Sequence, residues 1–84
     1  MEYSIGTESY LHREEGKSKY SFQDDYRQQC SLQKSNSLLE NKIWLGVDKD
    51  INGKMVNARM HLTQSQVIEL LPLLQQFATT GEII

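Results

Sequence analysis

Apolar and polar positions divide the chain into a patchy opening and a strongly patterned remainder. Residues 1–17, MEYSIGTESYLHREEGK, hold Tyr3, Ile5, Tyr10 and Leu11 in isolation with no sustained period, which predicts a loosely held, flexible N-terminal arm with room for one short strand. From residue 18 onward the pattern predicts a single small domain. Tyr20 and Phe22 alternate with polar neighbours, and Asp24 and Asp25 then supply turn chemistry. RQQCSLQK places Cys30 and Leu32 on one side and Gln29, Ser31 and Gln33 on the other, as in a half-buried strand. A Ser/Asn-bracketed connection, SNSLLEN, leads to KIWLGVD, a stronger strand signal.

The stretch VDKDINGKM has two readings. Asp48, Asp50, Asn52 and Gly53 open like a calcium-binding loop, but the twelfth position of that loop requires a bidentate Glu and holds Arg59 here. As a hairpin, with Asn52 and Gly53 the central pair of a type I′ turn, the stretch sets Ile51 opposite Lys54. Val47 then faces Ala58, Leu45 faces Met60 and Ile43 faces Leu62. The other face pairs Asp48 with Asn57, Gly46 with Arg59 and Trp44 with His61. A slip of one residue would mix the two faces, so the pattern favours the hairpin.

The helix signal is the clearest in the chain. Thr63 followed by Gln66 forms a capping box, and Leu62 can staple to Val67, so a helix should begin at Gln64. Val67, Leu70, Leu71, Leu74, Phe77 and Ala78 make one apolar stripe, and Gly81 suits the stop. Pro72 removes a backbone hydrogen bond, but at about 100° per residue it points away from the stripe, so its bend should curl the helix over the sheet. Ile68 and Leu73 widen the apolar arc. Either self-association or Leu38 and Leu39 of the preceding connection would cover them.

These elements predict an α+β fold: an antiparallel β-meander of about four strands with one C-terminal α-helix packed on one face. The face carrying Trp44, Arg59 and His61 is left uncovered.

Composition narrows the function. Eighty-four residues make one small domain, and 9 basic against 11 acidic residues, a formal charge of −2, give no positive field for a phosphate backbone. Nucleic acid is therefore not an expected partner, and neither is a membrane, since the longest apolar run is too short to span one. A single cysteine and the lack of a basic segment joined to an apolar run point to the cytoplasm.

Catalytic candidates are poor. Cys30 lies on the presumed core face, where cysteines are inert packing groups, His12 falls in the arm, and His61 is a lone strand histidine. His12, Cys30 and His61 match no zinc spacing, so neither metal nor cofactor is expected. EEGKS resembles the end of a phosphate loop, but Leu11 stands where its first glycine should be. No pair of carboxylates shares a firm element. The expectation is a protein that is not an enzyme.

Binding remains, on the second face of the sheet. Trp44 across from His61, with Arg59 opposite Gly46, offers an aromatic platform beside a cation. A purine could stack on the indole while Arg59, with Lys42 and Lys34 as further cations, takes a phosphate. The plainer reading has Trp44 packing against the arm or a second subunit while Arg59 braces an Asp.

In order, FQDDY, CSLQKSNS, IWLGVD, ARMHLT and LLPLLQQFATTGEI resemble the blocks of a group of short bacteriophage and prophage proteins across residues 21–83. No activity or functional residue comes with the resemblance. It implies phage provenance, and hence an inhibitor of a bacterial defence system that occupies a host defence protein or sequesters a nucleotide signal, as a homo-oligomer in the cytoplasm of the host cell. An accessory or structural phage protein acting only through protein contacts is the alternative.

Overall fold

The computed structural model describes residues 11–84. Five antiparallel strands form one sheet in chain order: β1 (His12–Arg13), β2 (Lys19–Gln23), β3 (Gln29–Lys34), β4 (Lys42–Lys49) and β5 (Met55–Thr63), followed by helix α1 (Gln64–Thr80). The fold is α+β, with one strand more than the pattern predicts. The addition is β1, whose His12 pairs with Ser21 and Arg13 with Tyr20, so the sheet takes in two positions read from sequence as part of the arm. The rest of that arm, residues 1–10, lies outside the described residues.

Alternation sorts the side chains into two faces. Leu32, Leu45 and Met60 stand in one cross-strand row with Tyr20, and Cys30, Val47 and Ala58 in the next with Phe22. The opposite face carries the rows Lys19–Gln33–Trp44–His61 and Ser21–Ser31–Gly46–Arg59. Every pair expected between Ile43 and Val47 on β4 and their partners on β5 is formed.

The reversal itself differs from expectation. The amide of Asp50 donates to Lys54 O at 2.9 Å and that of Gly53 to Asp50 O at 3.0 Å, so Ile51 and Asn52 are the central pair and only Gly53 is left-handed, at φ 80°. This is a three-residue loop, not a two-residue type I′ turn. Its stabiliser is the Asp50 carboxylate, whose Oδ1 accepts from the amides of Asn52 and Lys54, both at 2.9 Å. The loop brings Lys49 opposite Met55. A bulge restores the expected register: where β4 has Asp48, β5 has Val56 and Asn57, and Asn57 adopts φ 50°. Asp48 and Asn57 are therefore not the simple pair expected.

The β2–β3 connection repeats this loop. Asp24 N donates to Gln28 O and Arg27 N to Asp24 O, and Asp24 Oδ1 accepts from the amides of Tyr26 and Gln28. Arg27, at φ 64°, stands where the other loop has glycine.

Helix α1 starts and stops where predicted. Thr63 Oγ1 accepts from Gln66 N at 3.1 Å, Gln66 Oε1 accepts from Thr63 N at 2.9 Å, and Gly81, at φ 79°, donates its amide to Phe77 O. The helix continues through Pro72.

Its packing departs from expectation. Val67 meets Ile43 and Leu62 around a hollow of about 150 Å³, but no residue of α1 is buried. Leu71, Leu74 and Phe77 are 56%, 57% and 55% exposed. The stripe does not lie across its own sheet, because Thr63 is both the last residue of β5 and the N-cap, so no connecting residue exists to turn the helix back. Leu38 and Leu39 are almost fully exposed, so they do not cover Ile68 and Leu73 either. Among the described residues Cys30 is the only buried hydrophobic side chain.

Candidate functional site

The polar face gathers Trp44, His61 and Arg59. Trp44 and His61 stack with ring centroids 3.8 Å apart and planes within 8°, as their cross-strand pairing predicts. The Arg59 guanidinium carbon sits 5.5 Å from the indole centroid, within cation–π range. Gly46 stands opposite Arg59, and its positive φ of 152°, which residues with a side chain rarely adopt, accompanies a close approach of the two strands. A methyl group there would run into Ala58 O and come within 2.7 Å of Arg59 Cα.

Polar partners hold each member. His61 Nε2 and the hydroxyl of buried Ser35 share a hydrogen bond at 3.0 Å, anchoring the imidazole to the β3–β4 connection. Arg59 Nε faces Asp48 Oδ1 at 3.4 Å. That Nε is shielded from solvent and the contact is not aligned as a hydrogen bond, so Asp48 holds the cation by charge. Asp48 shares a face of β4 with Gly46, the direct partner of Arg59, so its carboxylate lies diagonally across from the arginine.

Beside the cluster, the polar face is concave. A cavity of about 560 Å³ is lined by Asp48, Lys49 and Arg59 from β4 and β5, by His12, Glu14 and Lys19 from the β1–β2 side, and by Gln33 of β3. Glu14 lies 3.2 Å from Lys19 Nζ and accepts from the Ser21 hydroxyl at 3.3 Å. The Lys19 ammonium in particular holds its carboxyl below the ordinary range, against the opposing effect of desolvation. Gln33 Nε2 donates to Ser31 Oγ at 3.1 Å, satisfying a hydroxyl with no exposed surface. The cavity wall thus carries two opposite-charge pairs, Lys19 with Glu14 and Arg59 with Asp48, and Lys49 as a further cation.

The structure brings together three of the five sequence candidates. Trp44, Arg59 and His61 form the cluster. Lys42 shares their face but pairs with Glu40 at 3.3 Å. Lys34 stands opposite Ile43 on the apolar face and cannot join them. The sequence sets Arg59 against an Asp without saying which, and the structure identifies it as Asp48; His12, read from sequence as part of the arm, becomes a wall residue of the cavity.

Two other readings can be placed. Burial foremost, with Asp24 and Asp48 nearby, pushes the Cys30 thiol up, and its Sγ lies 3.6 Å from Gln28 O, so it favours the protonated, poorly nucleophilic form. The carboxylates of the calcium-like stretch are engaged, Asp48 by Arg59 and Asp50 by its own loop. Among the described residues, no three His, Cys, Asp or Glu side chains group as metal ligands, and no helix is long and apolar enough to cross a membrane.

Compared with protein families, with characterised proteins and with solved structures, the chain finds no match.

Proposed function

We propose that the protein is a non-enzymatic inhibitor of phage origin, acting in the cytoplasm of a bacterial host by occupying a host defence protein through its polar face. The carrying observation is the state of Trp44. Its indole is already stacked at 3.8 Å on an imidazole that Ser35 anchors, with a guanidinium near its ring. Rigid Trp and Arg side chains of this kind lose little freedom on association and serve as interface anchors. A base-stacking platform would instead need an unoccupied ring face, and His61 uses one of the two. Phage origin rests on the sequence resemblance alone.

Sequestration of a nucleotide signal is the second reading. It is favoured by the cavity of about 560 Å³, a size suited to small molecules, with Arg59, His12 and Lys19 on its wall. An accessory phage protein with no ligand is the third.

Native mass spectrometry of the protein recovered from phage-infected bacteria separates them. The leading reading expects a stoichiometric host polypeptide that Trp44→Ala and Arg59→Ala both lose. A co-purifying small molecule, lost in Arg59→Ala, would move the conclusion to sequestration. Recovery with phage proteins alone would overturn both.

A further inference from the structure

A second surface without a partner is helix α1. Ile68, Leu70, Leu71, Leu73, Leu74 and Phe77 are each between 40% and 63% exposed on α1. At roughly 190 Å² for one fully exposed large side chain, they present about 600 Å² of apolar surface. The apolar face of the sheet is also open toward its β5 edge, where Met60 is exposed.

We propose that a second copy of this chain covers both surfaces: the α1 stripe of each copy lies across the partner's apolar sheet face, making a symmetric dimer. Three observations select a second copy over another partner. First, stripe and exposed sheet face occur on the same chain, so two copies satisfy each other reciprocally, as a twofold interface requires. Second, the area suffices: the stripe residues Leu70, Leu71, Leu74 and Phe77 of two copies present about 800 Å², and the sheet surface they cover brings the total to at least the roughly 1,200 Å² of a stable specific interface. Third, Glu69 is the sole charged residue of α1, so like copies meet without repulsion and there is no charge pattern for a basic or acidic partner to read. The loopless junction at Thr63 makes the exchange geometric, since a helix that cannot fold back on its own sheet is free to cover another. Fold and dimer would then form together, as a chain with so little buried apolar surface requires.

This proposal is independent of the polar-face reading and is tested without any ligand. In a Cys30→Ser background, chains carrying Met60→Cys are co-expressed with differently tagged chains carrying Phe77→Cys and oxidised mildly. The expected product is the mixed disulfide between the two kinds of chain. Cross-linking only between like Phe77→Cys chains would overturn the exchanged arrangement in favour of helix-on-helix packing. With the native cysteine retained, Leu74→Glu should weaken self-association at least about a hundredfold in sedimentation. A parent chain that sediments as a folded monomer at tens of micromolar would overturn the dimer altogether.

Discussion

The sheet and the helix are opposite solutions to the same problem. In the β3–β5 region, side chains find partners within the chain: indole on imidazole, guanidinium against carboxylate, and serine hydroxyls held by Gln33 and His61. Helix α1 is at least as well specified locally, with a complete capping box and a left-handed glycine stop, yet buries none of its residues. Local signals are therefore enough to place an element, but they do not supply the surface it packs on. That surface depends on connections, and the direct passage from β5 to α1 denies the helix its own sheet.

The largest effect should come from breaking the sheet side. Gly46→Ala forces a methyl group into the β5 backbone at a φ that suits glycine, and should cost about 3 kcal/mol or more in chemical denaturation. A neutral result would mean that β4 and β5 are farther apart than described. On the helix side, Leu71→Ala and Leu74→Ala sharpen the contrast. Exposed leucines in an isolated chain would be replaced at almost no cost, whereas leucines covered by a partner should each cost about 2 kcal/mol per chain.

Smaller effects probe the joints. A double-mutant cycle on Trp44 and His61 should give a coupling of about 1 kcal/mol, and a null coupling would remove the stacked pair from the account. Thr63→Ala, which removes the cap at the junction, should cost about 1 kcal/mol. Arg27→Gly should stabilise by about 1 kcal/mol, because it relieves the left-handed strain that Gly53 spares the matching loop.

The smallest effect is on pH dependence. Lys19 lowers the Glu14 carboxyl, and Gln28 together with backbone amides lowers that of Asp24. Folded values below the unfolded ones mean that these carboxylates favour the fold above the ordinary carboxylate range, and that the contribution is lost as the pH falls through their folded values. Stability curves of Glu14→Gln and Asp24→Asn should therefore lie below the parent at neutral pH and converge with it in acid. Parallel curves would contradict the assignment.

Much of this was legible in the chain. Period-two alternation predicts the pairs Ile43–Leu62, Leu45–Met60 and Trp44–His61, since any other register would put leucines beside histidine and arginine. Thr63, Gln66 and Gly81 predict both helix ends, since capping is decided within a few residues. The turn was legible only in part: glycine suits the left-handed position of a two-residue or a three-residue loop alike, and Asp50, which chooses the longer one, acts through its side chain. The bulge at Val56 and Asn57 follows from that choice. Where the helix goes was not legible, because periodicity says which residues want cover and nothing of what supplies it. Lys34 was misplaced more simply, since its parity on β3 puts it on the apolar face.

The most direct test of the central claim, that the stripe of α1 is covered only between copies, is the thermal midpoint of the unmodified protein across about a hundredfold range of concentration. Folding coupled to dimer formation predicts a midpoint that climbs steadily with concentration. A midpoint that does not move, in a chain whose mass in solution is that of one copy, would contradict it.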